Sequence, residues 1–482
     1  MDVFRQLVEQ GVSIERLASD SRRCAPGVAF LAYPGEAADG RAHIGDAIAR
    51  GAAAVLWDDD KFSWNPAWRV PNRPVQKLKQ QAGALAHEFY GHPSESLWVC
   101  GVTGTNGKTS CSQWIAALLG NAAVIGTLGA GFPGALSSAI NTTPDALETQ
   151  FLLREFLNQG ADAVAMEVSS HGLAQGRVNG VRFACALFTN LSHDHLDYHG
   201  TMSKYAAAKA KLFEMPGLQA AVLNLDDALG AELARRLAGR VRTLGYSLSP
   251  QKPVGVDEFV IAARIEGPQI DLESSWGRAS TAIRQLGRFN VSNALGVLGC
   301  LVANGISFEE SARLLATLPP VAGRMQAVGE EPLVVVDYAH TPDALEKVLQ
   351  ALRPIAAARG GRLAVVFGAG GDRDPAKRPL MGAIAARLAD RVLITSDNPR
   401  SEQPLEIISQ IEKGLQRDHE VEADRARAIE KMISTSEKND VILIAGKGHE
   451  TYQEIAGRRT HFSDEEQARS ALIEREKTGR AQ

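Results

Sequence analysis

Residues 97–119 read LWVCGVTGTNGKTSCSQWIAALL, which is an apolar run, a glycine-rich turn and a helix-like run in succession. The apolar run 97–102 predicts a buried strand, and 113–119 predicts a helix. The turn between them is Thr103-Gly104-Thr105-Asn106-Gly107-Lys108-Thr109-Ser110. A glycine-rich turn between a strand and a helix lets backbone N–H groups and the helix N-terminus hold phosphate groups. The segment therefore predicts an α/β domain that binds ATP.

Two side chains of this turn carry the expected chemistry. Lys108 should reach the outer phosphates of ATP, and Thr109 should ligate Mg²⁺. The common pattern for such loops has its first glycine at the position of Val102, whereas here the glycine is displaced to Gly104. A glycine-rich turn with a chance lysine is the alternative interpretation. The order of strand, turn and helix favours nucleotide binding over that alternative.

The chain divides into three blocks, because 482 residues are too many for one hydrophobic core. We place them at residues 1–93, 94–324 and 325–482. Apolar runs predict strands at 28–33, 53–57, 97–102, 163–168, 184–189, 220–224, 333–337, 362–367, 391–395 and 441–445. Continuous apolar runs separated by helix-length segments are typical of mostly parallel sheets covered on both faces. Ligands of such sheets bind at the carboxyl ends of the strands.

Composition excludes several classes of protein. Hydrophobic residues make up 45% and charged residues 22%, as in soluble globular proteins. The net charge of −4 gives no general attraction to nucleic acid or to membranes. No apolar run approaches the roughly 18 residues that a membrane span needs, and we recognise no secretory signal. We therefore expect a cytoplasmic protein with its scattered cysteines as buried thiols: Cys24, Cys100, Cys111, Cys185 and Cys300. A monomer is our expectation, although the sequence does not reveal the oligomeric state.

Further motifs follow the turn in a fixed order. They are Glu167-Val168-Ser169-Ser170-His171, Thr189-Asn190-Leu191-Ser192-His193-Asp194-His195-Leu196-Asp197 and Asn290-Val291-Ser292-Asn293. Together with the displaced glycine they resemble the Mur ligase and folylpolyglutamate synthetase superfamily. The resemblance extends from Asp20-Ser21-Arg22 to Gly446-Lys447-Gly448-His449-Glu450. It implies a UDP-substrate-binding domain at 1–93, a central P-loop ATPase at 94–324 and a C-terminal Rossmann-like domain at 325–482.

A carboxylate and a histidine are expected beside the phosphate loop. Glu167 ends one predicted strand and His195 follows another, and these groups suit Mg²⁺. A zinc site at His193, His195 and His199 is the alternative, but it has no cysteine or second cluster. The resemblance implies that Glu167 and His195 bind magnesium and that Lys209 is carbamylated, although a solvated helix lysine stays open. Lys108, Lys209, Glu167 and His195 are the predicted catalytic residues.

The resemblance also assigns residues to ATP and to a first substrate, UDP-N-acetylmuramoyl-L-alanyl-D-glutamate. The ATP residues would be Gly104, Thr105, Asn106, Gly107, Lys108, Thr109, Ser110, Asn293, Arg324 and Asp337. The first-substrate residues would be Ser21, Asn141, Thr142, Thr143, Ser169, Gln175 and Arg177. The loop Gly35-Glu36-Ala37-Ala38-Asp39-Gly40 departs from a family pattern that often carries His-Gln. Glu36 would repel phosphate if it pointed inward.

The run Asp397-Asn398-Pro399-Arg400 matches the branch of the family that adds meso-diaminopimelate, and the lysine-adding branch lacks this arginine. Diaminopimelate has a distal carboxylate that suits a guanidinium and a distal ammonium that suits Asp or Asn. A helix-capping turn is the alternative interpretation of this run. The resemblance completes the amino-acid pocket with Arg373, Gly446 and Glu450.

The implied reaction is ATP-dependent amide formation through an acyl phosphate. A lysine-adding Mur ligase and a folylpolyglutamate synthetase are rivals with the same core. A P-loop switch or motor that makes no covalent product is a rival from another class. Such a protein would not need Ser169, Gln175, Arg177 and Arg400.

Overall fold

The computed structural model describes residues 2–36, 38–138 and 141–479. Ala37, in the predicted uridine loop, lies outside the described residues. The described strands form sheets of four, eleven and six strands and one two-stranded hairpin. Each of the three larger sheets belongs to one of the predicted blocks, whose boundaries stay a prediction.

The first sheet is parallel, in the order β1-β2-β3-β4. Helices α1 and α3 cover one face and α2 covers the other, so every residue of Val28–Ala32 is buried. The elements are α1 (Asp2–Glu9), β1 (Arg16–Ala18), β2 (Val28–Ala32), α2 (Ile44–Ala49), β3 (Ala54–Trp57), β4 (Asn72–Pro74), α3 (Leu78–Phe89) and α4 (Pro93–Ser96).

The second sheet has the order β15-β14-β13-β12-β11-β10-β5-β9-β6-β7-β8. Its strands are β5 (Trp98–Thr103), β6 (Ala122–Gly126), β7 (Gly129–Phe132), β8 (Ala135–Ser137), β9 (Ala163–Glu167), β10 (Cys185–Phe188), β11 (Ala220–Asn224), β12 (Arg242–Ser247), β13 (Glu258–Glu266), β14 (Gln269–Ser274) and β15 (Gly277–Ala282). Its helices are α5 (Lys108–Leu119), α6 (Ala146–Asn158), α7 (Ser170–Ala174), α8 (Leu196–His199), α9 (Met202–Ala210), α10 (Ala228–Leu237), α11 (Arg288–Ala303) and α12 (Phe308–Leu315). Strand β5 lies between β9 and β10 and is parallel to both. The carboxyl ends of these three strands therefore meet at the phosphate loop.

The third sheet has the order β16-β17-β21-β18-β19-β20, and only β16 is antiparallel to its neighbour. The strands are β16 (Gln326–Glu330), β17 (Leu333–Asp337), β18 (Leu363–Phe367), β19 (Arg391–Ile394), β20 (Glu420–Val421) and β21 (Val441–Ala445), with β22 (Tyr452–Ile455) and β23 (Arg458–His461) forming the hairpin. The helices are α13 (Pro342–Arg359), α14 (Lys377–Leu388), α15 (Pro404–Glu412), α16 (Arg425–Ser434) and α17 (Asp464–Gly479).

The prediction of α/β architecture with mostly parallel sheets is confirmed. Each of the ten predicted strands is present, with ends within one residue of those predicted. Helix α5 begins at Lys108, five residues before the predicted start at 113. The prediction missed its first turn because the residues there are polar and show no apolar pattern. The antiparallel edges, β13–β15 on one side and β7–β8 on the other, were not predicted.

Two other features bear on the sequence-based expectations. All five cysteines are buried and free, so the prediction of buried thiols is confirmed. Among the described residues, no helix combines the length and the apolar character that crossing a membrane requires.

Candidate active site

A cavity of about 670 Å³ lies between the phosphate-loop end of the second sheet and the first elements of the third block. It brings together predicted ATP, metal and substrate residues that are far apart in the sequence. Those lining it are Thr105, Asn106, Gly107, Lys108, Thr109, Ser110, Asn141, Thr142, Glu167, Ser169, Arg177, His195, Asn293, Arg324, Asp337 and Arg373.

A steric contact explains why position 104 of the phosphate loop is glycine. Gly104 has φ +151°, and a Cβ atom there would lie 1.9 Å from Thr189 Oγ1. The Thr189 hydroxyl, just after β10, donates a hydrogen bond of 2.6 Å to the carbonyl of Asn106. Only glycine leaves room for this contact between neighbouring loops. Val102 is still within β5 and is fully buried, so the turn begins later than the common pattern has it.

Lys108 curls over the loop that it follows. Its Nζ donates hydrogen bonds of 2.8 Å to the carbonyls of Gly104 and Thr105. Burial lowers the pKa of Lys108, whereas the nearby Glu167 carboxylate opposes that shift. The ammonium makes no ion pair within the described part of the chain, so it is available to an anionic ligand.

Glu167 is a buried carboxylate beside the loop hydroxyl of Thr109. It is 1% exposed, and its Oε2 accepts hydrogen bonds of 3.1 Å from Thr109 Oγ1 and from Thr127 Oγ1. Thr127 N donates to Oε1 at 2.8 Å, and Arg324 Nη2 reaches Thr109 Oγ1 at 3.0 Å. The carboxylate makes no ion pair among the described residues. It is therefore a buried side chain whose hydrogen bonds come only from neutral donors.

His195 immediately precedes α8 in a left-handed conformation, with φ +53°. Burial lowers the pKa of His195 to about 4, although Asp194, with Oδ2 3.4 Å from Nε2, opposes the shift. The imidazole is therefore neutral near pH 7 and can act as a metal ligand. Asp194 also accepts a 2.8 Å hydrogen bond from Lys377 of the third block. This ion pair joins the loop of His195 to α14.

Lys209 lies under the phosphate loop and is 1% exposed. Its Nζ donates a 2.7 Å hydrogen bond to the Gly104 carbonyl and lies 4.5 Å from the centre of the Tyr205 ring. Burial and the neighbouring Lys108 lower the pKa of Lys209 well below its usual value. The interpretation of Lys209 as a solvated helix lysine is therefore wrong.

The predicted first-substrate residues adjoin Glu167. Thr143 Oγ1 donates to the Glu167 carbonyl at 3.0 Å and accepts from the backbone N–H of Ser169 at 3.0 Å. Arg177 donates to the Thr143 carbonyl at 2.9 Å and to Gln175 Oε1 at 2.7 Å. These acceptors are neutral, and Arg177 pairs with no carboxylate in the part of the chain that is described.

Glu36 points inward, toward the predicted first-substrate residue Gln175. Its two oxygens accept hydrogen bonds of 2.7 Å from Gln175 Nε2 and 2.8 Å from the Tyr198 hydroxyl. The first block thus touches the second through the carboxylate that was expected to repel phosphate. Ser21 is buried at the start of a 3₁₀ turn in the first block and does not line the cavity.

The predicted diaminopimelate residues form a cluster at the ends of β19 and β21. Asn398 Nδ2 donates to Glu450 Oε2 at 2.8 Å, and Lys447 Nζ lies 3.1 Å from both Asn398 Oδ1 and that same Glu450 oxygen. A Cβ atom at Gly446, whose φ is +121°, would lie 2.4 Å from Asp397 Oδ2. Glycine therefore lets these two loops approach each other.

Arg400 has φ +54° and donates a 2.7 Å hydrogen bond to the carbonyl of Gly371. A Cβ atom at Gly370 would lie 2.9 Å from Arg400 Nη1 and 3.6 Å from Arg373 Cγ, so the two arginines flank one glycine. Neither guanidinium pairs with a carboxylate within the described residues. At Gly371 an added Cβ would lie 1.8 Å from the Pro399 carbonyl, which explains that glycine as well.

Several contributing residues escaped the sequence-based interpretation. The Arg425–Asp464 ion pair is fully buried and bidentate at 2.7 Å, and Arg425 also donates to the Ala445 carbonyl at 2.9 Å. It therefore fixes the strand end that leads into Gly446. Asp343 accepts from Asn106 Nδ2 at 3.1 Å and from Ser192 Oγ at 2.8 Å, which joins α13 to the phosphate loop. No local motif marks these residues, because their partners are distant in the sequence.

Comparisons with known proteins agree with this arrangement. Three family models match: the Mur ligase family, catalytic domain over residues 13–90, the Mur ligase middle domain over 102–301 and the Mur ligase, glutamate ligase domain over 323–448. The chain is similar to a Chromobacterium violaceum protein called UDP-N-acetylmuramoyl-L-alanyl-D-glutamate–2,6-diaminopimelate ligase, with 51% identity over 97% of this chain and 96% of that relative. A relative of the same name from Neisseria meningitidis serogroup A is 50% identical over 95% of each chain.

A solved structure of a ligase with this name is also similar. It has a TM-score of 0.66 at 36% identity and covers 96% of this chain and 95% of that one. The ranges of the family models include the phosphate loop and the Glu167 strand in the middle domain and the Arg400 loop in the glutamate ligase domain. With three matching models and relatives about half identical over nearly its whole length, the chain belongs to the Mur ligase family.

Proposed function

We propose that this protein is the ATP-dependent ligase that joins meso-diaminopimelate to the D-glutamate side-chain carboxylate of UDP-N-acetylmuramoyl-L-alanyl-D-glutamate. One observation carries the proposal. Four cationic side chains without an ion pair among the described residues line a single cavity in a chain of net charge −4: Lys108, Arg177, Arg324 and Arg373. A cavity of this kind suits two polyanionic substrates bound side by side.

The ATP phosphates would bind across the loop and the start of α5. Lys108 would exchange its two carbonyl contacts for charge-assisted bonds to the outer phosphates. Arg324 stacks on the Tyr338 ring, with its guanidinium 4.6 Å from the ring centre, and points toward Thr109. Asn293 packs against Gly107, where we expect it to contact the adenine.

The site also fits Mg²⁺. Glu167 is a buried carboxylate without a cationic partner in the described chain, and the Thr109 hydroxyl is 3.1 Å away. Mg²⁺ prefers such hard oxygen ligands, and neutral His195 borders the same cavity. Thr109, Glu167 and His195 would hold the ion, which when bound would neutralise charge developing on the transferred phosphoryl group.

Lys209 has the properties that carbamylation requires. Burial favours its neutral amine, which is the form that reacts with carbon dioxide. The product would be an anion on the nitrogen that now lies 2.7 Å from the Gly104 carbonyl, and its charge would be compensated by Lys108 together with a bound cation. A second Mg²⁺ would serve this purpose.

The nucleotide-dipeptide would bind along Asn141, Thr142, Ser169 and Arg177, with the first block closing over it. Arg177 already makes two neutral hydrogen bonds that fix its guanidinium in place. A fixed guanidinium loses little conformational freedom when it binds a phosphate or a carboxylate. The unpaired cysteines are consistent with the cytoplasm, where such a precursor would be made.

The distal end of meso-diaminopimelate would bind at the Arg400 loop. Arg400 and Arg373 offer guanidinium groups to its carboxylate, while Asn398 and Glu450 offer oxygen atoms to its ammonium. Lysine lacks the distal carboxylate. The relatives named as 2,6-diaminopimelate ligases support this choice over lysine.

The reaction would proceed in two steps. First, the D-glutamate side-chain carboxylate attacks the γ-phosphorus of ATP, the bond to ADP breaks, and an acyl phosphate forms. The amine at the L centre of diaminopimelate then attacks the acyl carbon, phosphate leaves, and nitrogen loses a proton to give the amide. The protein supplies positioning and charge neutralisation, with Lys108 acting on the transferred phosphoryl group.

Closure of the third block would protect the acyl phosphate from water. Two contacts already hold this block against the phosphate-loop region: Lys377 with Asp194 at 2.8 Å and Asp343 with Asn106 at 3.1 Å. They set the amino-acid pocket and the nucleotide cavity in one relative orientation.

Mass spectrometry of the product tests the proposal. The protein is incubated with ATP, Mg²⁺, the nucleotide-dipeptide and meso-diaminopimelate, and each substrate is omitted in turn. The expected result is a tripeptide nucleotide, with many turnovers of ATP to ADP, only in the complete mixture. Repeated turnover of ATP to ADP without the amino acid, or a product containing lysine but not diaminopimelate when both are offered, would reject it.

A further inference from the structure

A second group of possible metal ligands lies at the junction of the first and second blocks. His87 is in the last turn of α3, His92 immediately precedes α4 with φ +56°, and Glu95 is within α4. Backbone hydrogen bonds tie the three together: His92 N donates to the His87 carbonyl at 2.8 Å, and Glu95 N to the His92 carbonyl at 3.0 Å. The imidazole rings meet edge to face, with their centres 4.6 Å apart.

His87 supplies a buried nitrogen without a hydrogen-bonding partner. The residue is 7% exposed, and its Nδ1 lies 3.2 Å from Gln150 Oε1. Donation to that oxygen places the proton on Nδ1 and leaves a lone pair on Nε2. Within the described residues, this Nε2 atom has no hydrogen-bonding partner. A buried lone pair left unused is costly, so the arrangement suits a cation that this nitrogen could bind.

The three ligand atoms have spacings close to those of one coordination sphere. His87 Nε2 lies 3.5 Å and His92 Nδ1 3.9 Å from Glu95 Oε1, and all three atoms lie within 4.8 Å of one another. Tetrahedral zinc with bonds of about 2.0–2.2 Å separates its ligand atoms by roughly 3.4 Å. Since the side chains of His92 and Glu95 are 49% and 51% exposed, small rotations can close the remaining gap.

We propose that His87, His92 and Glu95 form a Zn²⁺ site, with water as the fourth ligand. Two imidazoles and one carboxylate are a known ligand set for zinc, whereas Mg²⁺ and Ca²⁺ prefer oxygen alone. Gln150 would orient the buried imidazole from outside the coordination sphere. Arg182 Nε, 3.7 Å from Glu95 Oε1 and half-exposed, is the counter-charge of the metal-free carboxylate and turns to solvent when zinc binds.

The position of this site gives it a structural consequence. Helix α4 leads directly into β5, whose carboxyl end carries the phosphate loop. A zinc ion would fasten α4 to the end of α3, and so fix the first block at its connection to the ATP-binding sheet.

Zinc titration of the full-length protein tests the site. Protein treated with EDTA is titrated with Zn²⁺ alone, in Mg²⁺-free buffer, against a chromophoric chelator. The variants are His92→Gln and Glu95→Gln, both at exposed side chains that leave the His87–Gln150 contact intact. The matched control is His461→Gln, which removes an exposed histidine 2.7 Å from Glu466.

The wild type and the control should bind one more equivalent of zinc than either variant, or bind it at least tenfold more tightly. Cobalt substitution should give the strong visible absorption of a tetrahedral ion, reduced in both variants. Zinc bound elsewhere, such as near His195, is bound equally by the wild type and the variants, so it does not affect the difference between them. Equal stoichiometry and affinity in wild type, His92→Gln and Glu95→Gln, or no zinc bound by the wild type at micromolar concentration, would overturn the proposal.

Discussion

Replacing Arg400 with alanine should lower the use of meso-diaminopimelate far more than the use of lysine. Arg400 is half-buried, and its guanidinium makes one hydrogen bond to the Gly371 carbonyl and has no carboxylate partner among the described residues. A substrate carboxylate can therefore take its remaining donors as a bidentate pair. Lysine has no carboxylate at its distal end, so it would leave the Arg400 guanidinium unpaired.

The expected fall in kcat/KM for diaminopimelate follows from how far the Arg400 side chain is buried. Removing one member of a buried charge pair costs about 2–5 kcal/mol. Because Arg400 is only half-buried, we expect the lower part of that range, about 2–3 kcal/mol. At about 1.4 kcal/mol per tenfold change, kcat/KM for diaminopimelate should fall roughly 30- to 140-fold. Arg373 remains in the variant and keeps lysine a poor substrate.

The assay compares kcat/KM for diaminopimelate and for lysine in wild type, Arg400→Ala and a control, Arg469→Ala. Arg469 is an exposed arginine paired with Glu465 on α17, so its loss should change neither value. KM for ATP should stay near that of the wild type in all three proteins. An equal loss for both amino acids in Arg400→Ala, or equal use of both by the wild type, would show that Arg400 does not select the substrate.

Four further outcomes are expected. Lys108→Ala should lower kcat by about 10²–10³-fold with an unchanged unfolding midpoint, and near-normal turnover would remove the loop from the mechanism. Lys209→Ala should be almost inactive and partly rescued by acetate, and a free amine in the carbon-13 spectrum of active, bicarbonate-supplied enzyme would exclude the carbamate. Glu36→Gln should lower KM for the nucleotide-dipeptide about fivefold, as expected when about 1 kcal/mol of like-charge repulsion is removed, while a higher KM would make Glu36 a substrate contact. The hydrogen bonds from Arg378 lower the pKa of Glu402 to about 2, so stability present above pH 4.5 should be lost as the pH falls toward 2. Glu402→Gln should flatten that part of the curve of Tm against pH, and an unchanged slope would contradict the assignment.

The parallel core could be predicted because its strands are continuous apolar runs. Val441–Ala445, for example, is buried at every position, and its predicted ends are those observed. The antiparallel edge was missed for the opposite reason. Strand β14 alternates buried Ile270 and Leu272 with exposed Gln269 and Asp271, a period-two pattern that a search for continuous runs does not find. Strand β7 reads GAGF, and its glycines mask any apolar pattern.

The candidate site was predictable where chemistry is encoded in a local motif. The phosphate loop, Glu167 and the Arg400 loop each lie at or just beyond the carboxyl end of a strand, so their neighbourhood is set by sheet topology. The direction of Glu36 was not predictable, because it depends on Gln175 and Tyr198, more than a hundred residues away. The same holds for Asp343, which meets the phosphate loop only when the third block is in place.

Asp337 shows how one carboxylate can serve both the fold and the nucleotide. It lines the cavity, yet its two oxygens accept hydrogen bonds from the backbone N–H groups of Met325 and Ala339 at 2.7 and 2.8 Å. These bonds fix the crossing between the second and third blocks, so that Arg324 reaches Thr109. A carboxylate offers about four lone-pair sites, and the backbone uses two of them. We propose that the remaining sites accept hydrogen bonds from ATP, in which case nucleotide binding would be coupled to the position of the third block.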